Sequence, residues 1–263
     1  MKSFHKLSSK NFWNNAFIKF LTNFEFINSF FKKNNGIGYN IAMDKEISFL
    51  IGKRRSPFIL FDIGANKGDY SIMVSKRNPK STIYSFEPSK STFDLLKVNV
   101  KEFTNIVPIK LAFGSEKKEM TLFYDSETSA LASLYKRDLS HLGLKFDNSE
   151  VIQVSTIDEW VDENNIEPEF IKIDVEGFEL SVLQGAVKTL KNVIAIQFEF
   201  GGTAIDAKTF FKDYWEFFQR INFEIYRYAP LGLIPINYYS EKQELFEYMN
   251  YLAIPFETTR NDD

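Results

Sequence analysis

The central part of the chain alternates short apolar runs with segments whose apolar residues recur at helical spacing. Continuous apolar runs are typical of strands buried on both faces of a parallel sheet. Between the second and third runs, Phe93, Leu96 and Val100 fall on one helical face that can cover such a sheet. The runs predicted as strands are 58–61, 82–86, 106–111, 170–173 and 193–198. The alternation predicts an α/β fold with at least five parallel strands.

Two stretches depart from this alternation. Residues 115–155 are too long for one crossover and contain two strand-like runs, 120–124 and 151–154, which predict a hairpin insertion over the site. After a predicted helix at 206–222, the chain contains two further apolar runs before its end. These runs, 223–228 and 248–254, indicate a terminal antiparallel pair.

Local signals place two further helices. Thr156 and Glu159 have the spacing of a capping box, so a helix is expected to begin there and Asp158 is interpreted as structural. A second helix is predicted over 179–192, where Leu180, Leu183, Val187 and Leu190 share one face.

The N-terminal region carries a different pattern. Six bulky apolar residues between 11 and 33 step by four and three, which predicts an amphipathic helix that ends near Gly36. They are Trp13, Phe17, Phe20, Phe24, Ile27 and Phe31. The polar face holds more Asn than Lys or Arg, which favours packing on the main domain or on a second copy of the chain over binding a membrane surface. The predicted division is an N-terminal helical extension (1–44), a main domain (45–257) with the insertion (115–155), and a tail (258–263).

Charge and composition narrow the partners. The chain has 32 Lys and Arg against 35 Asp and Glu, a net charge of −3, and so lacks the strong positive field that recruits nucleic acid. The absence of Cys excludes disulfides, thiolate nucleophiles and Cys-ligated metals. No signal-peptide pattern and no run near the roughly 18 apolar residues of a membrane span occur, so a cytoplasmic protein is expected.

Acidic residues end the predicted parallel strands. Asp62 and Glu87 follow the first two runs, and Asp174 and Glu199 follow the last two. Ligands of open parallel sheets bind at the carboxyl ends of the strands, where the strand order reverses. These four acids are therefore the first candidates for a ligand site.

The first strand leads into a glycine-containing turn and then into a helix that begins near Asp69. Gly64 and Gly68 are expected to let a ligand meet the backbone because they have no side chains. A dinucleotide fingerprint would have its second glycine at Asn66. S-adenosylmethionine has no pyrophosphate but has an ammonium, which Asp62 can bind, and a carboxylate suited to backbone donors. Asn66 in place of the second glycine therefore favours S-adenosylmethionine over a dinucleotide.

Glu87 is the candidate ribose ligand. It lies 25 residues after Asp62, near the spacing of about 20 residues at which an acid binds ribose hydroxyls in such folds. A carboxylate with two oxygens suits a cis-diol, and Pro88 fixes the exit of the chain. Glu87 with the glycine turn therefore predicts adenosine binding.

A second acidic segment surrounds Gly177. Glu179 is explained by a helix N-terminus, where an acid is favoured by up to about 1 kcal/mol. Asp174 ends an apolar strand at the edge where donor and acceptor should meet, so it is assigned to the active site. The role of Glu176 stays open at this point.

These motifs together resemble the FkbM family of methyltransferases. The similarity lies in 61–66 with Gly68, in Phe86-Glu87-Pro88, in 171–179 followed by Gly185, and in 250–253; it extends over about 47–255. The resemblance implies a Rossmann-like methyltransferase fold, with a mostly parallel seven-stranded sheet and an antiparallel last strand. It also implies O-methylation of a hydroxyl, often on sugars or natural products. The predicted donor-binding set is Asp62, Gly64, Ala65, Asn66, Gly68, Asp69, Tyr70, Glu87, Pro88, Ala112, Phe113 and Asp174.

Methyl transfer to a hydroxyl requires in-line alignment and removal of a proton. Asp174 is the preferred base, and His141, in the insertion, is the second candidate. Asp174, Glu176 and Glu199 could supply oxygen ligands, so a divalent cation is a second candidate cofactor, with no metal ligand assigned.

Two other functions stay open. The same fold supports a nicotinamide-dependent oxidoreductase, against which the missing middle glycine argues, and it supports a non-catalytic nucleotide-binding protein. For a methyltransferase, the expected acceptor is a sugar hydroxyl, free or in a glycan, which aromatic rings could contact. The rings expected near the carboxyl edge of the sheet are those of Tyr124, Tyr135, Tyr226 and Tyr228.

Overall fold

The structure, a computed structural model, describes residues 39–52, 57–229 and 232–256. The predicted helix at 11–33 and the tail at 258–263 lie outside these ranges. Within them, no helix combines the length and the apolar character needed to cross a membrane.

The helices are α1 Tyr39–Ile51, α2 Asp69–Arg77, α3 Lys90–Val100, α4 Ile157–Asn164, α5 Glu179–Gln184, α6 Thr203–Ala207 and α7 Phe211–Arg220. The strands are β1 Ile59–Ile63, β2 Thr82–Phe86, β3 Ile106–Ile109, β4 Ala112–Phe113, β5 Lys118–Tyr124, β6 Asn148–Ser155, β7 Phe170–Ile173, β8 Ala195–Phe200, β9 Phe223–Ala229, β10 Gly232–Ile236 and β11 Met249–Pro255.

The main sheet confirms the α/β prediction. Its strand order is β10-β9-β11-β8-β7-β1-β2-β3, and the five strands from β8 to β3 are mutually parallel. Strand β11 runs antiparallel between β8 and β9, as expected for the last strand. The described sheet has eight strands where seven were expected, because β10 adds a hairpin partner to β9 at the edge. Pro235 lies within β10, and an edge strand tolerates a residue that cannot donate a ladder hydrogen bond.

Alternation along each strand builds two cores, one on each face of the sheet. On β1, Leu60 faces a core formed with α1, α2 and α3, whereas Phe61 and Ile63 face a core formed with α4, α5 and α7. Helix α1 contributes Ile47 and Leu50, both fully buried, to the first core. The sheet is thus covered on both faces, and ligands have access at the ends of the strands.

Several predicted elements differ in detail. The predicted helix at 206–222 is two helices, α6 and α7, because the backbone turns left-handed at Lys208 (φ 56°). The predicted helix at 179–192 ends at Gln184 and resumes as a 3-10 turn at Thr189–Lys191. Helix α1 was not predicted and extends across the expected boundary between 44 and 45. The Thr156 cap is confirmed, since its hydroxyl accepts a hydrogen bond from the Glu159 amide at 3.0 Å.

Residues 115–155 contain a hairpin. Strands β5 and β6 pair antiparallel, and β4 pairs parallel with β6 to complete a three-stranded sheet. The segment between β5 and β6 folds back on β5, where Phe123 and Ser133 exchange backbone hydrogen bonds of 2.8 and 3.0 Å.

Candidate active site

A cavity of about 490 Å³ opens at the carboxyl ends of the parallel strands. Its floor lies where β1 has β2 on one side and β7 on the other, which is the switch point of the strand order. The predicted residues that line it are Gly64, Ala65, Asn66, Asp69, Tyr70, Glu87, Pro88, Ala112, Phe113 and Asp174. Asp62, Gly68 and His141 lie outside the lining.

The turn after β1 is shaped by close backbone packing. Gly64 has a φ of 76°, and the amides of Gly64 and Ala65 both donate to the Phe86 carbonyl, at 3.0 and 2.9 Å. A Cβ on Gly64 would lie 1.8 Å from the carbonyl oxygen of Asp174. We expected the missing side chain to make room for a ligand. The position of such a Cβ is occupied by the backbone of the neighbouring strand end, so Gly64 is required for packing, while Gly64 also lines the cavity.

Glu87 is held rigidly at the end of β2. Its side chain lines the cavity although the residue is only 7% exposed. One carboxylate oxygen accepts from the Asn66 amide and the other from the Ser89 amide, both at 3.0 Å. Burial raises the pKa of Glu87 to about 7, and the two amide bonds oppose this rise. Each oxygen keeps a lone pair with which it can accept a further hydrogen bond.

Asp62, the other predicted acid of this region, is fully buried. The Ser71 hydroxyl donates to Asp62 at 2.6 Å, and the Lys172 ammonium lies 3.3 Å from its other oxygen. The same ammonium lies 3.2 Å from Asp174 Oδ2 and 5.4 Å from the centre of the Tyr70 ring. Lys172 therefore links Asp62 to the cavity, where Lys172 and Asp174 form part of the wall.

The loop after β7 is shaped by Glu179. Its Oε1 accepts hydrogen bonds from the amides of Val175 and Gly177, at 3.0 and 3.1 Å. The residue is 2% exposed, and burial raises the pKa of Glu179 to about 7. The predicted helix N-terminal role of this residue is thus extended to folding the loop that carries Asp174 and Glu176.

Three further carboxylates converge at the ends of β7 and β8. Oxygen atoms of Asp174, Glu176 and Glu199 lie within 4.8 Å of one another. Burial raises the pKa of Glu176 to about 8, and Asp174 and Glu179 add to this rise. Burial also raises the pKa of Glu199, whose Oε2 is buried without a hydrogen-bond partner among the described residues. This end of the cavity is therefore acidic, and burial favours the protonated form of Glu176 and Glu199.

The insertion forms the roof of the cavity. Its strands contribute Leu122 and Ile152, and the segment between them contributes Ser129 and Leu134. The roof contacts the turn after β1 directly, because Asn66 Nδ2 donates to the Ser129 carbonyl at 3.4 Å.

The remaining candidates lie away from the cavity. His141 is exposed on the 3-10 turn Ser140–Leu142. The tyrosines expected near the site lie outside the cavity lining; Tyr226 and Tyr228 belong to the core beside α1, and the Tyr228 hydroxyl donates to the Glu46 carbonyl at 3.3 Å. Tyr135 packs on Phe178, which does line the cavity, with ring centres 5.9 Å apart.

Sequence reasoning missed Lys172 and the individual roof residues. A signal for Lys172 existed, since it is a charged residue within an apolar strand run and lies two positions before Asp174, on the same side of the strand. The roof residues carried no such signal, because Ser129 and Leu134 reach the cavity only through the pairing of β5 with β6.

Comparisons with known proteins match this region. The protein-family model described as "Methyltransferase FkbM domain" matches residues 62–225 of this chain. Hexuronic acid methyltransferase AglP of Haloferax volcanii is 28% identical over 149 residues, covering 56% of this chain and 57% of that protein. Methyltransferase 1 of Beauveria bassiana is 24% identical over 164 residues, covering 56% of this chain and 61% of that protein. The chain thus spans less than two thirds of the length of each of these relatives. The solved structure of precorrin-6y C5,15-methyltransferase from Geobacter metallireducens GS-15 is similar over 82% of this chain and 87% of its own, with 13% identity and a TM-score of 0.47.

Proposed function

This chain belongs to the FkbM methyltransferase family, and from that premise we propose that it transfers the methyl group of S-adenosylmethionine to a hydroxyl oxygen of a sugar. One observation carries the donor part of the proposal. A buried carboxylate, Glu87, lines the cavity at the end of β2 with both oxygens oriented by backbone amides. Such an arrangement suits the ribose cis-diol of a nucleoside, and the adjoining cavity has room for the rest of the donor.

The charges of the cavity fit the methionine end of the donor, which supplies an electrophilic methyl group on a sulfonium. Lys172 lines the wall beside the turn after β1 and can pair with the donor carboxylate. Asp62, predicted to bind the donor ammonium, is engaged with Lys172 and Ser71. We therefore assign Asp62 the role of holding Lys172 in place of a direct contact with the donor ammonium.

The strand order separates the two substrates. Neighbouring strands lie about 4.8 Å apart, so Glu87 on β2 and Glu199 on β8 are about 14 Å apart across the edge of the sheet. With the ribose at Glu87, the donor would extend over β1 towards β7. The acceptor hydroxyl would then approach from the β7 and β8 side, beneath the roof.

Asp174 is the base that we propose for this reaction. Its side chain is 37% exposed and lines the cavity, while the ion pair of Oδ2 with Lys172 fixes its orientation. Asp174 would accept the proton of the acceptor hydroxyl through Oδ1 as the oxygen attacks in line. His141 would need the turn Ser140–Leu142 to reorganise before it could serve, so it stays the second candidate.

A divalent cation is the less favoured part of the cofactor prediction. Asp174, Glu176 and Glu199 have the oxygen chemistry for one, but two internal cations already compensate this cluster. Lys172 pairs with Asp174 at 3.2 Å, and Arg137 pairs with Glu176 at 3.4 Å. We propose that methyl transfer proceeds without an added metal, and activity that survives chelation by EDTA would support this.

The acceptor is proposed from the name of a relative and from the reaction that the family implies. Hexuronic acid methyltransferase AglP is named for a sugar acceptor. The aromatic contacts expected from Tyr226 and Tyr228 no longer support this proposal, because both residues lie in the core beside α1. Phe178 and Leu134 are instead the apolar groups of the wall that a sugar face would contact.

The test combines donor binding with transfer. Isothermal titration should give one site per chain for S-adenosylmethionine and for its demethylated product, with weaker or no heat from NADH. Labelled S-adenosylmethionine should then pass its methyl group to a carbohydrate in a panel of nucleotide sugars and glycans. Binding of NADH alone would favour the oxidoreductase, and donor binding without transfer to any class of acceptor would favour a non-catalytic protein. Transfer to polypeptide or RNA alone would overturn the sugar assignment.

A further inference from the structure

A buried arginine joins the roof to the acidic end of the cavity. Arg137, in the segment between β5 and β6, is 5% exposed. Its guanidinium donates to Asp206 at 3.0 Å, to the Tyr248 hydroxyl at 3.0 Å and to Glu176 Oε2 at 3.4 Å. A buried guanidinium requires partners that compensate its lost hydration, and here they come from three separate segments. Arg137 therefore fixes the roof relative to the loop after β7.

Glu176 receives a second contact from the same segment. The Ser133 hydroxyl donates to the Glu176 carbonyl at 2.8 Å. Glu176 also has a φ of 53°, in the left-handed region that non-glycine residues seldom occupy. Such conformations persist where the surroundings over-determine them, and they cluster at functional sites. The backbone and the side chain of Glu176 are thus both held in place by the roof.

The side chain of Glu176 points where the acceptor is expected. It lines the cavity with Asp174 and Glu199, at the end opposite Glu87. Arg137 occupies Oε2, which leaves Oε1 as the oxygen that can face a bound hydroxyl. The groups that face Glu176 are Asp174, Glu179 and Glu199, which oppose its charge, and Arg137 and Lys172, which favour it.

We propose that Glu176 binds a hydroxyl of the acceptor next to the one that is methylated, and that Arg137 is the positioning residue that holds Glu176 for this contact. The proposal rests on the proposed function. A carboxyl group in this position accepts a hydrogen bond when charged and can also donate one when protonated, so it suits a neighbouring sugar hydroxyl in either state. The roof then contributes to acceptor specificity through Arg137 and Ser133, while donor binding is left to the turn after β1, Glu87 and Lys172.

The experiment compares Glu176→Gln, Arg137→Met, Arg137→Lys and the double variant Glu176→Gln with Arg137→Met. Glu119→Gln is the matched control, because Glu119 lies in the roof on β5, binds the Gln153 side chain and is outside the cavity lining. The probes are UDP-glucose and UDP-glucuronic acid, with kinetics measured on whichever is methylated faster. Donor affinity and melting temperature are measured on every variant.

The expected result is a rise of about tenfold or more in the acceptor KM for Glu176→Gln and for Arg137→Met, with donor Kd within about twofold. The double variant should be little worse than either single one, because both remove the same contact. Arg137→Lys should recover part of the affinity, and Glu119→Gln should change the acceptor KM by less than about threefold. A role confined to folding would lower the melting temperature without this selective rise in KM.

The inference is wrong if the wild-type enzyme is active and Glu176→Gln keeps both its acceptor KM and its kcat within twofold of wild type. If Arg137→Met does not fold, the acceptor kinetics of Glu176→Gln and Arg137→Lys test the inference without it. A wild-type protein that binds no donor, or transfers no methyl group to either probe or to the carbohydrate panel, would instead overturn the proposed function on which the inference rests.

Discussion

The two ends of the cavity are built in different ways. The proposed donor end uses a short continuous stretch, the turn after β1, with one acid from the next strand, and its hydrogen bonds are made largely by backbone groups. The proposed acceptor end combines side chains from the ends of β7 and β8, the roof and α6, which lie far apart in the sequence. Its contacts are made largely by side chains, as ion pairs and as hydrogen bonds. The comparison teaches that a backbone-built site can be found in a local motif, whereas a side-chain-built site emerges only from the assembled fold.

The largest expected effect concerns the backbone-built end. Gly64→Ala should lower the free energy of unfolding by more than about 3 kcal/mol, because its Cβ would overlap the Asp174 carbonyl at 1.8 Å. The matched control is Gly143→Ala in the roof. Gly143 has a comparable φ of 73° but nothing within 4 Å of its Cβ, so the change should lower the free energy by about 1 to 2 kcal/mol. Urea unfolding measures both, and equal losses would remove the special role of Gly64.

The next effect concerns chemistry at the junction of the two ends. Asp174→Asn should lower kcat about 100-fold or more while donor affinity stays within about threefold, as expected for loss of a general base. His141→Ala is the control and should change kcat by less than about twofold, given that His141 is exposed outside the cavity lining. Single-turnover kinetics and calorimetry provide the two readouts. A collapse of donor affinity in Asp174→Asn would move this residue to the donor end.

Glu87 tests the donor end without altering its glycine turn. Glu87→Ala should weaken donor binding about 10- to 100-fold, since hydrogen bonds to a charged group contribute about 1.5 to 3 kcal/mol. Glu87→Gln should lose less, because an amide keeps an acceptor for one of the two backbone amides that Glu87 now binds. The acceptor KM should change little in either variant. Donor affinity equal to wild type in Glu87→Ala would remove the ribose assignment.

The smallest expected effect is the change of the protein's stability with pH. It depends on buried acids at both ends of the cavity. Burial raises the pKa of Glu87 and Glu179 to about 7 and that of Glu176 to about 8, from an ordinary value of 4.5. The folded state therefore binds protons that the unfolded state releases, so stability falls as the pH rises from about 5 to about 8. The melting temperature of the ligand-free protein should be higher at pH 6 than at pH 8.5, by about 3 °C or more.

The same pH series separates the two ends. Glu176→Gln should flatten this dependence more than Glu87→Gln does, because the pKa of Glu176 is raised further. A melting temperature that rises with pH over this range would show that burial does not raise the pKa of these carboxyl groups.

The same difference between the two ends determines which features could be predicted from the sequence. The parallel strands and the acids that end them were visible because apolar runs and strand-end positions are local features. Strand β10 was missed because a proline interrupts its pattern, and the break between α6 and α7 was missed because Lys208 gives no sign of a left-handed turn. Arg137 was missed for another reason. Its importance comes from burial among Glu176, Asp206 and Tyr248, and no periodicity in the sequence encodes those contacts.

The ion pairs of Lys172 have a consequence for how such a chain can change over generations. The buried ammonium is balanced by Asp62 on one side and Asp174 on the other. Replacing the buried Asp62 alone leaves the ammonium partly uncompensated, and breaking a buried pair in this way typically costs about 3 to 5 kcal/mol, whereas the half-exposed Asp174 contributes less. A descendant that lost one of the three residues would be selected against unless the others changed as well. Among relatives, these three positions are therefore expected to be kept or exchanged together, as one inherited unit.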